Sequence, residues 1–581
     1  GLSQDAIYQK LQQQNTVEPA GKVRVGRDYI RIDSPAGIGD VEDIGAMILR
    51  EDSNSVGATS LIYLRDVATV RRENVNPTSK ILSFNGEPAV ALAISTAKGG
   101  NVIKLGDAIS ERLSQLQART PIGLEVDPIV FQPTAVKSAI DDFVSSLLMA
   151  LVIVVLVLLV FMGRRAGLII GAVLLITVVG TFVLMDYYNV ALERISLGAL
   201  VIALGMLVDN AIVITESMMV RIQTGMNRIK AAKEAVATTI WPLLGATVIA
   251  ILAFAAIGTS QDSTGEFCRS LFQVMLFSLS LSWITAVTIT PLLCYWFIPL
   301  KSDSSLSDAP ENEDQNDPYS NGLFRLYRNT LNRCMQQRWL TIGVMVVLMV
   351  LAIVGFSQLK GSFFPKSTSP QFMIHYWLPE GSDIRQTAAD VADIETFLSA
   401  DQDTTSISSF IGAGAPRFVL TYPNEKDNSS YAMILVQVDD YKNITALIEK
   451  TKIHISNNFP DAMPKIQRMS LGPSPKSSIE VRFSGDDSVV LRSLSEQVKQ
   501  ILTDAGAQSI RDDWREKVKV VRPNYAEHQA QFAGIDRADL NEALETNFTG
   551  TLVGLFRESD ELIPIYSRAP EHERKDVGQI G

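Results

Sequence analysis

The sequence predicts a polytopic α-helical membrane protein whose polar regions are α+β domains built from β-α-β sandwich units. Three observations lead there. Six stretches of the 581-residue chain are apolar for about the 20 residues that a bilayer core demands. Between and beyond them, strand-like alternation repeatedly gives way to amphipathic helical patterning. Finally, the first 45 residues recur without a gap at residues 534–578.

The six spans fall near 143–162, 167–185, 195–217, 237–258, 271–298 and 339–357. The first, FVSSLLMALVIVVLVLLVFM, has no interruption, and a soluble core does not explain it. With six spans, residues 1–140 and 360–581 lie on one side. The positive-inside rule says which. Arg164 and Arg165 fill the first connection; Arg221, Arg228, Lys230 and Lys233 fill the third; Arg325, Arg328, Arg333 and Arg338 precede the sixth span. The connections DYYNVALE and SQDSTGEFCR carry little positive charge, so both large polar regions are expected outside.

The longest inner connection opens with KSDSSLSDAPENEDQNDPYS, a composition that suits a disordered linker. It continues into LFRLYRNTLNRCMQQRW, where Phe324, Tyr327, Leu331 and Met335 share one helical face among arginines. That pattern predicts a helix lying on the membrane surface, with an extension of the sixth span as the simpler alternative. Outside, three β-α-β units are predicted. AVALAIST (89–96) leads through VIKLGDAISERLSQL to GLEVDPIVF, QFMIHYWLP leads into DIRQTAADVADIETFL, and SIEVRFSG leads into VVLRSLSEQVKQIL.

In the repeat, Gly1 meets Gly534, Ile7 meets Leu540, Leu11 meets Leu544, Gly21 meets Gly554, Ile30 meets Ile563 and Ser34 meets Ser567, all at an offset of 533. The expectation is a tandem duplication, of which this chain holds one membrane block and the first helix of the next. A start at Gly1 without a basic and apolar leader fits a slice of a longer protein. The net charge of -11 argues against nucleic-acid binding. Cys268, Cys294 and Cys334 form neither a CxxC pair nor an even framework, the four histidines are scattered, and no GxSxG, HExxH or P-loop is present. No cofactor and no metal site are predicted. GAG at 412–414 is no dinucleotide fingerprint, and Met463 and Met469 read as core filler rather than ligands.

The chemistry sits in the third span. Asp209 lies mid-membrane, where a charge costs about 2.5–3.5 kcal/mol on insertion scales. Such a group ordinarily faces the interior of a helical bundle. Helical spacing gives it Ile202, Gly205, Ile212, Val213 and Glu216 as neighbours on its face, and Gly198, Ala199, Ala203 and Gly205 allow close helix approach. A mid-membrane carboxyl that gains and loses a proton can couple to a proton gradient. The competing reading is a permanently protonated aspartate that only bonds a neighbouring helix.

On these residues the chain resembles the resistance-nodulation-division (RND) transporters, hydrophobe/amphiphile efflux (AcrB-like) branch. ALGMLVDNAIVITES is similar to that family's fourth transmembrane helix, STGEF (263–267) and TITPLLC (288–294) to its fifth and sixth, and GSFFPKSTSPQFMIHYWLPEGS to the start of its second outer half. The resemblance implies a secondary active transporter, not an enzyme. It implies proton-motive-force-driven efflux of drugs, detergents and biocides by a homotrimer in the bacterial inner membrane. The partners it implies are a periplasmic adaptor protein, an outer-membrane channel, amphiphilic small molecules and membrane lipid, with no nucleic acid. Asp209 matches the first relay aspartate, Asn210 stands where many members carry a second, and Glu216 follows on the same face. A metal-ion exporter and a non-transporting sensor or assembly protein are the alternatives.

The resemblance also implies boundaries: a partial docking-like subdomain over 1–83, a porter-like β-α-β subdomain over 84–135, and five transmembrane helices over 136–300. The linker and surface helix take 301–338, the sixth transmembrane helix 339–359, porter-like subdomains 360–514, and a second partial docking-like subdomain 515–581. Two departures stand out. Where AcrB-type pumps have a phenylalanine-rich pocket loop, this chain has FIGAGAPRF (410–418), leaving Phe410 and Phe418 as flanking candidates for substrate binding. Asn74, in REN, matches a pocket asparagine, and the arm after LQQQN is short.

Overall fold

The computed structural model describes residues 3–14, 21–32, 39–53, 59–298, 322–359, 366–419, 421–422, 424–470, 472, 477, 479–558 and 560–574. The predicted linker opening at 301–320 lies outside the described residues. The chain begins with α1 (Gln4–Gln14), the hairpin β1 (Lys22–Val25) and β2 (Asp28–Arg31), and α2 (Val41–Gly45). The hairpin β3 (Ile48–Ser53) and β4 (Thr59–Tyr63), α3 (Leu64–Val67), β5 (Ile81–Phe84), β6 (Glu87–Pro88) and α4 (Val102–Gln117) follow. Five long helices come next: α5 (Gln132–Phe161), α6 (Arg164–Tyr187), α7 (Arg194–Gln223), α8 (Arg228–Thr259) and α9 (Ser263–Phe297). Then come α10 (Gly322–Gln336), α11 (Arg338–Ser357), β7 (Gln371–Trp377), α12 (Ile384–Ser399), β8 (Thr404–Ile411) and β9 (Tyr431–Val438). The chain continues through α13 (Ile444–Asn458), β10 (Lys465–Arg468), α14 (Ser488–Asp504), α15 (Glu527–Ala533) and α16 (Arg537–Phe548), and ends with β11 (Thr551–Glu558), β12 (Glu561–Ser567) and α17 (Glu571–Arg574).

The chain divides into two compact units. The first combines Gly1–Ile81, Leu378–Ala388 and Arg511–Gly581. Its core joins Leu11 of α1, Ile44, Met47 and Leu64 to Val553 and Phe556 of β11, so residues more than 500 positions apart bury one another. The Tyr8 hydroxyl donates to Ser567 Oγ at 3.0 Å across the same contact. At the rim, Arg72 donates to both carboxylate oxygens of Glu558, at 2.9 and 2.8 Å. A helix followed by a β-hairpin occurs twice here, as α1–β1–β2 and as α16–β11–β12, at positions that match the offset of 533.

The second unit, Leu82–Trp377 and Ala389–Ile510, holds the apolar helices and a six-stranded antiparallel sheet. α5 to α9 and α11 are long and apolar enough to cross a membrane. Their ends are written locally. Pro at the start of α5 needs no hydrogen-bond partner for a missing N–H, Asn227 caps α8 through Ile229 N–H, and Asp262 caps α9 through Gly265 N–H. Gly163, at φ +82, makes the sharp turn between α5 and α6. Gly167 is required by contact: a Cβ there would lie 2.8 Å from the backbone nitrogen of Leu159. The buried seam of this block lies between α6, α7 and α9, with Ile170, Leu174, Leu200, Ala203, Leu207 and Met275 at its centre. No residue of α11 is buried among the described residues.

The sheet runs β10-β7-β9-β8-β5-β6. β9, YAMILVQV, is a nearly unbroken apolar run because both of its faces are covered. On one face Tyr376 donates to Asp390 Oδ2 of α12 at 2.7 Å, and burial is the first cause that pushes its phenol upward. On the other, Met373, Trp377, Phe410, Tyr431 and Met433 pack under the segment that carries Ala415 and Tyr422.

The middle predicted β-α-β unit is thus present as β7, α12 and β8, with β9 inserted between the two strands. The other two are corrected. α4 and α14 form, but 89–96, 123–131 and the described part of 478–485 contain no strand. A strand needs a neighbour to take its backbone hydrogen bonds. Among the described residues none pairs with these segments, and Val90, Leu92 and Ile479 are 98%, 84% and 64% exposed.

Candidate functional site

Asp209 lies midway along α7. The helix is apolar almost throughout, and its inward face is small: Ala199, Ala203 and Ala211 are buried at 0%, 0% and 2% exposure, which lets α9 lie close. Asn210 belongs to that inward face. Its amide Nδ2 donates to Ser282 Oγ of α9 at 3.2 Å, and Ser282 Oγ donates to the Leu207 carbonyl of α7 at 2.9 Å. The polar contact continues sideways. Thr285 Oγ1 meets Thr177 Oγ1 of α6 at 2.9 Å and also donates to the Ser282 carbonyl at 3.0 Å. Four buried side chains on three helices therefore form one transverse ladder: Asn210, Ser282, Thr285 and Thr177.

Asp209 stands about 100° around the helix from Asn210. Within this chain Asp209 is exposed, on the side of α7 turned away from α6 and α9. The face-mates named by helical spacing accompany it. Ile202 is 50% and Val213 39% exposed, Glu216 is exposed, and a Cβ on Gly198 or Gly205 would meet no atom within 4 Å. Among the described residues Asp209 has no hydrogen-bond or ion-pair partner. Chemically, this is a carboxyl in the middle of an apolar span, on a strip of α7 lined by glycine and aliphatic side chains. An ionised carboxyl at that depth is costly without a cation or a proton.

The other candidates fall elsewhere. Phe410 ends β8 in the core beneath the sheet, 9% exposed, and Phe418 stacks on Tyr422 with ring centroids 5.1 Å apart. Met463 and Met469 join the same core. Burial, the first cause, pushes the Tyr422 phenol up to about 12. Asn74 is exposed in the first unit, whereas Phe410 and Phe418 belong to the second.

Sequence reasoning missed Ser282, Thr285 and Thr177. A signal was available. In SLSLSWITAVTIT the polar residues Ser278, Ser282 and Thr285 recur at helical spacing, and Thr177 and Thr181 repeat it on α6.

A family model described as AcrB/AcrD/AcrF family matches residues 1–581. The chain is 22% identical over 589 residues to multidrug resistance protein MdtC of Yersinia pseudotuberculosis serotype O:3 (strain YPIII), covering 100% of this chain and 55% of that protein. The MdtC proteins of Yersinia pseudotuberculosis serotype O:1b (strain IP 31758) and Yersinia pestis bv. Antiqua (strain Angola) give the same 22% identity and the same coverage, 100% and 55%. The chain spans about half the length of the curated relatives it matches.

Proposed function

The chain belongs to the AcrB/AcrD/AcrF family of RND efflux transporters, and from that premise we propose that its intact gene product exports hydrophobic and amphiphilic compounds in exchange for protons. Asp209 is the group that carries the proton. The observation that carries this reading is an aspartate at the midpoint of an apolar helix long enough to cross a membrane. Moving one charge through 100 mV supplies about 2.3 kcal/mol, so a carboxyl that crosses between two protonation states at this depth can draw on the membrane potential. Glu216 lies on the same strip toward the arginine-rich end and is the next exchange point.

The same reading includes a bacterial inner-membrane location with the two large polar regions in the periplasm. It includes a homotrimer working with an adaptor protein and an outer-membrane channel. It also includes a tandem duplication, supported by the two helix-hairpin segments at an offset of 533. Phe418, only partly buried and stacked on Tyr422, is a better candidate for substrate contact than Phe410, which fills the core.

The test is Asp209→Asn in the intact gene product, with export of a fluorescent amphiphilic dye measured in cells. Export should vanish while the protein remains folded and inserted. Full export by this variant would overturn the assignment.

A further inference from the structure

The position beside Asp209 is built around a donated proton. Asn210 Nδ2 gives a hydrogen to Ser282 Oγ, and Ser282 directs its only hydroxyl hydrogen to the Leu207 carbonyl. The Ser282 oxygen accepts from Asn210 while its hydrogen goes to the Leu207 carbonyl, and the same hydroxyl can turn to donate where position 210 offers an acceptor. Both side chains are buried, at 6% and 2% exposure. The bond ties α7 to α9 and sets the rotation of α7 about its own axis. Asp209 is one residue, or about 100°, away on that same cylinder. A turn of α7 that broke the Asn210 bond would also move Asp209 from the side of the helix where it now stands.

We propose that Asn210 and Ser282 are positioning residues for Asp209: their hydrogen bond helps hold α7 at the rotation that turns the carboxyl away from α6 and α9. The proposal rests on the proton-coupled reading of Asp209. It assigns Asn210 a role different from a second proton carrier, and it brings in Ser282 of α9, together with the Thr285–Thr177 contact that ties α9 on to α6.

The role of the bond can be tested by comparing a side chain at 210 that keeps it with one that cannot. In an Asn210→Asp variant the carboxyl keeps the bond in either form, donating its O–H to Ser282 when protonated and accepting the Ser282 O–H when ionised; a leucine at 210 can do neither. Within this chain, the helices beside α7 bring no charged group to the level of the ladder. α5, α6, α8 and α9 carry no Asp, Glu, Lys, Arg or His over residues 143–161, 166–185, 235–259 and 270–297. Asp209 on α7 itself is the charged neighbour of position 210, and Cys294 of α9 is held against Thr215 of α7, further along the helix.

The experiment measures Nile red efflux by cells expressing the intact gene product, across a range of pH, with transporter levels matched. Ser282→Ala should lose about three- to tenfold in efflux at every pH, the scale of one interhelical hydrogen bond in a membrane. Asn210→Leu should show a loss of the same size, whereas Asn210→Asp should stay close to the unmodified protein. Asp209→Asn, measured in parallel, should be inactive throughout. If Asp209→Asn is inactive but Ser282→Ala and Asn210→Leu follow the unmodified protein at every pH, positioning is refuted while proton coupling stands. If Asp209→Asn exports normally, the reading of Asp209 fails, and the positioning proposal falls with it.

Discussion

Leu11 is the most informative residue for the first unit, because it is where the start of the chain meets its end. Its side chain is 4% exposed and packs among Ile44, Met47, Leu64, Val553 and Phe556. Leu11→Ala removes three carbons from this small core and leaves a space that the hairpin β11–β12 cannot readily fill. Buried Leu→Ala changes cost about 2–5 kcal/mol, and about 3 kcal/mol is the reasonable figure for a core at the edge of a unit. A loss of about 3 kcal/mol corresponds to about a hundredfold loss of protection against amide hydrogen exchange wherever local opening governs exchange. The assay is hydrogen–deuterium exchange with peptide resolution on the intact gene product in detergent. Faster exchange is expected over β11 and β12, more than 500 residues from the substitution. β7 and β9 of the second unit should keep their protection. Faster exchange confined to α1, or an equal loss in both units, would refute the idea that α1 completes the core over β11.

Two further predictions concern the second unit. Thr177→Val and Thr285→Val should each destabilise the intact protein slightly, and a double-mutant cycle should return about 0.6 kcal/mol of coupling; to bridge the pair, one of the two hydroxyls must turn its only hydrogen from a carbonyl of its own helix to the other threonine. A coupling indistinguishable from zero would break the transverse ladder at that rung. The Lys450 ammonium, 2.7 Å from Asp401, is the first cause that holds the Asp401 carboxyl below its ordinary value of 3.8. The folded-state value is depressed, so the stabilisation is present above the unfolded value and is lost as pH falls through the folded one. Thermal melts should show Lys450→Met less stable than the parent near neutral pH, with the difference shrinking in strong acid. A difference that persists or grows in acid would remove the ion pair as its cause.

What could be read before the structure was whatever lies within a single element. Bilayer thickness imposes a length on each apolar run, so α6, α7 and α11 fall close to the spans expected for them. α5 starts earlier than expected, at Gln132, because Pro133 and a run of good helix formers extend the helix below the apolar stretch. Pairing between elements was less legible. VALAIST and IEVRF alternate as a strand should, yet they form none, while QFMIHYW does, with β9 on one side and β10 on the other. Alternation records that one face of a segment is apolar. It carries no information about which neighbour supplies the hydrogen bonds.

Asp209 and Asn210 show the same limit inside one helix, and they also show why the two residues are adjacent. Helical spacing named the residues that share a face with Asp209, but not whether that face meets α9 or turns away from it. The neighbour decides. A buried amide has four hydrogen-bonding positions and strongly prefers a partner, and on α9 it is Ser282 that offers one to Asn210 at this level. Fixing Asn210 therefore fixes Asp209, because the helix is rigid between consecutive residues. An aspartate alone in this span would have no such constraint, and burial cost would favour turning it toward whichever hydroxyl could hydrate it, including Ser282 itself. An amide placed next to it occupies that hydroxyl first. The pair thus separates two demands: one residue holds the helix to its neighbours, and the other stays on the side of α7 turned away from α6 and α9.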